Sequence, residues 1–337
     1  MMTVCMPVTE ASQIAAARRG AVALAQAGGL GETDAGRVAL VASELATNLV
    51  RHGGGGNLLA RLVEPEAEPA GIELMALDQG PGIADVQACL RDGFSTGGTN
   101  GTGLGAIRRQ ADAFDIFSLP GKGAGVLACL RARRGVAPQP GPASRQGCVS
   151  VPKSGENVCG DAWAVSQTEG PLTAMVVDGL GHGTFAAEAA HHAVRVFRQR
   201  PFEAPRPLLQ AIHAALRPTR GAAAAVAFVD TEQSRVVFAG IGNIAATLIA
   251  NGQSRRLVSL NGIVGHTAQR IQEFTYPFSG GQALLILHSD GLATSWTLDQ
   301  YPGLASRHPS LIAGVLFRDF GRGGRDDATV LVIRSAA

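Results

Sequence analysis

Aspartates fall repeatedly where hydrophobic runs begin or end, and this recurrence constrains the fold more than any other feature of the chain. Asp161 follows Cys159-Gly160. Asp178 closes LTAMVV and opens Gly179-Leu180-Gly181-His182-Gly183. Asp290 closes ALLILHS before Gly291, and Asp326-Asp327 precede TVLVI. Each alone is an ordinary turn at a strand end, where Asp and Gly favour bends. Together they imply strands that deliver carboxylates to one end of a sheet, where like charges repel unless cations lie between them. Hard oxygen ligands suit Mg2+ or Mn2+. Two such ions, about 4 Å apart, can polarise a phosphoryl oxygen and activate a water for in-line attack.

Those acids occupy only the second half of a 337-residue chain, which is long enough for two domains. The seam is Arg131 to Gly147, RARRGVAPQPGPASRQG, where prolines, glycines and basic residues break the hydrophobic patterning. Domains are therefore expected over 1–131 and 148–337, with a linker over 132–147. Before the seam, helical spacing over Glu10–Ala27 and Asp34–Val50 precedes strand-like Asn57–Val63 and Ile72–Leu77. After it, Leu172–Val177, Ala223–Val229, Ala283–Leu287 and Thr329–Ile333 read as strands, and Phe185–Phe197 and Pro207–Leu216 as helices. Both halves mix α and β, and neither repeats the other.

In the first half, Val38, Val41, Leu45 and Leu49 recur at helical spacing and place Glu44 and Asn48 on one helix face. An amide oxygen can hold Mg2+ without adding charge beside a triphosphate, and a carboxylate can deprotonate an attacking hydroxyl. The Ile72–Leu77 strand runs into Asp78-Gln79-Gly80-Pro81-Gly82-Ile83, where Asp78 could accept from an exocyclic amine. Further on, DGFSTGGTNGTGLG spans Asp92 to Gly105 and leads into a helix from Ala106, and N–H groups at such a start suit phosphate. No Lys-Ser or Lys-Thr pair completes a Walker loop, and no strand immediately precedes the glycines as a dinucleotide fingerprint requires.

The segments SELATN, DQGPGI and DGFSTGGTNGTGLG resemble the N, G1 and G2 boxes of GHKL ATPases, in particular the RsbT-type switch kinases, over roughly residues 10–131. That resemblance implies a two-layer α/β sandwich binding Mg-ATP. By it Asn48 holds Mg2+ and Glu44 is the base. Asp78 reads adenine with Gly80 and Gly82 in its turn, and Gly101, Thr102, Gly103, Leu104 and Gly105 lie beside phosphate. Gly123-Ala124-Gly125-Val126 stands where relatives place a threonine near adenine.

GDAW, VVDGLGHG, AGIGN, HSDG and GRDDATVLVI resemble the PPM phosphatases (protein phosphatase 2C type), in the bacterial sporulation-and-stress branch, over about Cys148 to Ile333. That resemblance implies an αββα four-layer sandwich with two Mn2+ or Mg2+ ions held by Asp161, Asp178, the Gly179 carbonyl, Asp290 and Asp326, with Asp178 and Asp290 central to catalysis. Asp327 either assists or caps the strand. His182 is either a general acid or a loop residue, and Gly240, Gly242 and Asn243 suit a tight hairpin or bulge. Trp163 and Cys159 read as buried packing, and His191-His192 as surface and edge.

Taken together, the resemblances imply a serine/threonine kinase and an opposing phosphatase acting on STAS-domain regulators, of the anti-sigma antagonist or stressosome type. A nucleotide- or partner-binding pseudokinase that regulates the phosphatase is the alternative, and a noncatalytic switch scaffold is a further one. With 29 basic against 27 acidic residues, nucleic acid is not an expected partner. Five scattered cysteines without a CxxC suggest no disulfide framework. Without a long apolar stretch or a basic-then-apolar leader, a cytoplasmic protein that engages no membrane is expected.

Overall fold

The computed structural model describes residues 2–63, 70–90, 103–133, 144–168, 170–268, 270–279 and 282–335. The chain divides into two compact units, which do not follow the sequence order simply. The front unit is Thr3–Ala143 plus Tyr301–Arg318, and the rear unit is Met1–Met2, Ser144–Gln300 and Asp319–Ala337.

In the front unit, β1 (Val4–Val8), α1 (Ala11–Ala27), α2 (Glu32–Arg51), β2 (Gly56–Val63), β3 (Gly71–Asp78), α3 (Val86–Cys89), α4 (Gly103–Gln110), β4 (Ala113–Ser118) and β5 (Ala124–Arg131) follow in order. The strands form an antiparallel sheet in the order β1-β2-β3-β5-β4. Gln13 Oε1 accepts from the Thr9 and Glu10 N–H groups and closes the first turn of α1. This helix buries only Ala17, Ala21 and Ala25, small side chains that let it lie close against α2. The face of α2 read from spacing is the buried one: Val38, Val41, Leu45 and Leu49 pack with Leu58, Ile72, Leu74 and Ile107.

The rear unit contains β6 (Gln146–Val151), β7 (Asp161–Gln167), β8 (Leu172–Gly179), α5 (Thr184–Gln199), α6 (Pro205–Ala215), β9 (Ala222–Asp230), β10 (Arg235–Ile241), β11 (Ala245–Ala250), β12 (Gln253–Arg256), β13 (Phe274–Pro277) and β14 (Ala283–His288). After it come α7 (Pro309–Phe320), which spans the division between units, and β15 (Ala328–Arg334). The strands make two sheets, β13-β10-β9-β8-β7 and β12-β11-β14-β15-β6. Strand alternation sorts the side chains. Leu172, Ala174 and Val176 enter a core shared with Leu285, Leu287, Leu331 and Ile333 of the other sheet, while Met175 and Val177 face Phe197, Leu208 and Ile212 of α5 and α6. The mixed α/β class expected from the patterning is what forms.

Strand β3 is buried on both faces, so its sheet needs cover on the side away from α1 and α2. Residues of α7 that belong to the front unit supply it. Gly314 lies against Met75 and Leu77, and Gly125 against Leu311 and Val315. Ser310 Oγ donates to buried Glu73, which also pairs with buried Arg61, and the His308 N–H donates to Asp115 Oδ2 at 2.6 Å.

Candidate active sites

Rear-unit strand pairing sets the carboxylates together. Asp161 and Asp178 are direct cross-strand partners on β7 and β8. In the second sheet, the Ser289 N–H donates to the Thr329 carbonyl at 3.0 Å, which draws Asp290 and Asp326-Asp327 to the same end of β14 and β15. A hydrogen bond joins the two sheets there, from Ser289 Oγ to Asp161 Oδ2 at 2.6 Å. Gly179 ends β8, where its N–H donates to the Gly160 carbonyl, and a Cβ on it would come within 2.1 Å of the Ala186 carbonyl oxygen. Only glycine lets α5 approach this strand end.

Electrostatics registers the convergence. Burial, then Asp161, Asp290, Asp326 and Asp327, push the Asp178 carboxyl up to about 9. Asp161 is pushed up to about 7, chiefly by burial, with Asp327 and Asp290 adding to it against the Ser289 and Thr329 hydrogen bonds. Burial raises Asp327 too. The Asp161 Oδ1 atom is buried with no hydrogen-bond partner among the described residues. An orphaned carboxylate oxygen amid other acids is what a divalent cation would satisfy, so the donor set fits Mn2+ or Mg2+.

Asn243 does more than shape the backbone turn that its pattern suggests. Its Nδ2 also donates to Asp290 Oδ2 at 2.7 Å, and Gly242 before it has φ 89°. His182 is exposed, with Nδ1 2.7 Å from Glu156 Oε1. Cys159 is buried, and burial with neighbouring Asp161 and Asp327 drives its thiol well above the ordinary range, which suits packing and not nucleophilic attack. Trp163 lies in the inter-sheet core, His191 is exposed and His192 half-buried.

In the front unit, Glu44 and Asn48 lie half-buried on the side of α2 toward the start of α4. A Cβ on Gly103 would stand 3.2 Å from Glu44 Oε2 and 3.6 Å from Asn48 Oδ1, so these three residues share one small space. Leu104 packs against the front core and Gly105 is buried, while Gly101 and Thr102 lie outside the described residues. Asp78 ends β3, and its Oδ1 accepts from the N–H groups of Gly80 at 2.9 Å and Ala124 at 3.2 Å. Gly82 is at φ 74°, and the Ile83 N–H after it donates to Ser118 Oγ at 2.6 Å. Gly123, in the stretch where relatives place threonine, has φ 83°, and a Cβ there would meet the Asp78 carbonyl oxygen at 2.1 Å. The glycine thus keeps the Asp78 turn closed. With glycine at 103 leaving Glu44 and Asn48 uncovered by a side chain, the donor set of this arrangement suits a magnesium nucleotide.

Sequence reasoning missed Arg37. Its buried guanidinium pairs with Asp34 and Asp112 and donates to the Gln110 and Arg131 carbonyls, tying α2 to the ends of α4 and β5. An Asp34–Arg37 pair at i,i+3 spacing, leading into the apolar positions of α2, was the available signal. It also missed Arg318 and Ser310, for which no local pattern existed.

The Asp78 glycine turn and the Glu44–Asn48 helix face on one α/β sandwich, with an acid-centred sheet edge on another, define a two-module phosphoryl-handling class. Residues 7–129 match the family described as histidine kinase-like ATPase domain, and residues 168–336 match Stage II sporulation protein E (SpoIIE). The chain is 35% identical to the serine/threonine-protein kinase RsbT of Bacillus subtilis over 124 residues, which are 37% of this chain and 92% of that protein. It is 26% identical to the phosphoserine phosphatase RsbX of Bacillus subtilis over 141 residues, 42% of this chain and 70% of that one. A solved structure described as the bacterial stressosome, a modular system adapted to control secondary messenger signaling, superposes with a TM-score of 0.52 at 29% identity, covering 56% of this chain and 97% of its own. The chain belongs to the SpoIIE family, joined in one polypeptide to a domain of the RsbT kinase family. Among the described residues, no helix is long and apolar enough to cross a membrane.

Proposed function

We propose that the chain is a bifunctional serine/threonine kinase and phosphatase of a partner-switching pathway in the cytoplasm, adding phosphate to a STAS-domain regulator and removing it again. A kinase domain over 1–131 and a phosphatase domain over 148–337, joined by a linker over 132–147, carry the two activities. The observation that carries the reading is the gathering of Asp161, Asp178, Asp290, Asp326 and Asp327 from separate strand ends, which adds to burial in pushing Asp178 up to about 9. Kinship with RsbT and RsbX, whose names carry the two opposed activities, supports the pairing.

In the rear unit, Asp161, Asp178, the Gly179 carbonyl, Asp290 and Asp326 would hold two Mn2+ or Mg2+ ions. The ions supply Lewis acidity and a water acidic enough to attack at neutral pH. Asp290 is oriented by Asn243, and Asp161 by Ser289, so these polar partners set the direction of the ligands. Hydrolysis forms a bond from water oxygen to phosphorus and breaks the bond to the serine or threonine oxygen, which takes up a proton. His182 beside Glu156 is a candidate source of it.

In the front unit, Asn48 would hold Mg2+ and Asp78 the adenine amine, and ATP supplies the phosphoryl group. Glu44 accepts the proton of the attacking serine or threonine hydroxyl as its oxygen bonds to the γ-phosphorus and ADP leaves. Incubating the intact chain with a STAS-domain protein, ATP and Mn2+ tests both activities. Glu44→Ala should abolish phosphate gain while sparing its removal, and Asp178→Asn should do the reverse. If neither substitution alters either rate, the bifunctional reading is wrong.

A further inference from the structure

We propose that Arg318 is a positioning residue of the nucleotide site, supplied to the front unit by the SpoIIE-family half of the chain. The inference deepens the kinase reading and rests on it. Arg318 Nη1 donates to the Asp78 carbonyl at 2.9 Å and to the Ala124 carbonyl at 3.2 Å. These are the two residues already joined by the Ala124 N–H and Asp78 Oδ1. The β3–β5 ladder ends at Leu77 and Gly125, so Asp78 and Ala124 lie beyond its last rung. Arg318 closes that gap with a charged donor bridging both carbonyls, the kind of hydrogen bond that exceeds a neutral one in strength.

Its own placement is fixed. Leu311 and Val315 of α7 pack on Gly125, Gly314 on Met75 and Leu77, and Ser310 bonds to Glu73. Gln79 Nε2 donates back to the Arg318 carbonyl at 3.4 Å. The direction of the Asp78 carboxylate decides whether an exocyclic amine is recognised, and that direction depends on the two strand ends Arg318 clamps. The front half by itself, lacking α7, would present a looser carboxylate.

The test measures binding of ATP and of inosine triphosphate, which lacks the exocyclic amine, to the intact chain, to Arg318→Ala and to Arg318→Lys, with thermal unfolding alongside. Arg318→Ala should weaken ATP by about tenfold, as expected for loss of a charge-assisted hydrogen bond, and leave inosine triphosphate little changed. The ratio between the two nucleotides therefore contracts. Arg318→Lys, which keeps a charged donor but on a shorter stem than the one that carries Nη1 to both carbonyls, should fall between. If Arg318→Ala does not fold, the lysine variant is judged by the same ratio. Unchanged ATP binding, or equal weakening of both nucleotides, overturns the proposal while leaving the kinase reading standing. A wild-type chain that binds no ATP ends both.

Discussion

Replacing Asp178 with asparagine should stabilise the metal-free protein while destroying phosphatase activity. Asp178 is half-buried beside four further acids, and its partial burial, then those acids, push it up to about 9, from 3.8 in an unperturbed carboxyl. Between those values the folded state keeps a proton that the unfolded chain has released, so stability falls as pH rises from about 4 to about 9. At roughly 1.4 kcal/mol per pH unit, the span from 3.8 to 8 sets an upper bound of about 6 kcal/mol. Because the acids share protons, on the order of half of that, about 3 kcal/mol, should be recovered by Asp178→Asn at pH 8. Urea unfolding in EDTA at pH 6 and pH 8 reads this directly: the variant is the more stable form, and its advantage grows with pH. Adding Mn2+ closes the gap, since only the wild type gains the roughly 3 kcal/mol expected at a hundredfold excess over Kd. A variant less stable than wild type in EDTA at pH 8, or one that Mn2+ stabilises equally, would refute the convergent-acid argument.

Other substitutions probe the supports of the two sites. Asn243→Ala removes the 2.7 Å hydrogen bond to Asp290 and should raise the Mn2+ concentration for half-maximal hydrolysis by about tenfold, with the thermal midpoint almost unmoved in EDTA. Gly123→Ala forces a Cβ against the Asp78 carbonyl at a φ of 83° and should cost about 2 kcal/mol or more in urea unfolding, with ATP binding weakened in parallel. Glu73→Ala takes the carboxylate from buried Arg61 and from Ser310, and a loss of about 3–5 kcal/mol is expected; a shift below about 1 kcal/mol would mean that the pair is solvated in solution.

The parts legible in the sequence are those governed by local rules. The helical spacing of Val38, Val41, Leu45 and Leu49 gave the buried face of α2 and, by difference, the face that carries Glu44 and Asn48. Strand ends marked by Asp-Gly placed Asp178 and Asp290 at turns. Asp161 needed only its place after Cys159-Gly160, although its cross-strand partnership with Asp178 is a register that no single strand encodes. What remained hidden depends on pairing at a distance. Arg318 meets Asp78 across 240 residues, and Ser310 meets Glu73 across 237, so neither leaves a periodic trace. Nor could α7 be assigned to a sheet, because Pro309 to Leu316 are all buried and present no polar face from which to orient it. Asn243 sits in a turn whose glycine already explained the bend, and its hydrogen bond to Asp290 appears only when β11 and β14 are paired.

The two proposed sites would handle the same phosphoryl chemistry with opposite donor sets, and the physical reason lies in what each must hold. A nucleotide arrives with its own negative charge, so a site made of an amide, backbone N–H groups and glycines can accept it without repulsion, and the proposed base, Glu44, stands at the helix face beside Gly103. A hydrolytic centre must instead hold cations while substrate comes and goes, and that requires carboxylates in excess. Their mutual repulsion then has to be borne by the fold whenever the cations are gone. Two face-to-face sheets bear it well. Each acid sits at the rim of a core packed by Val176, Leu287 and Leu331, so the burial that raises Asp161 and Asp178 belongs to the same layers that hold the strand ends in place. The front sheet carries no such load. It instead takes on a cover from α7, with an arginine at its edge, where the ladder between β3 and β5 stops one residue short of the carboxylate that would read the base.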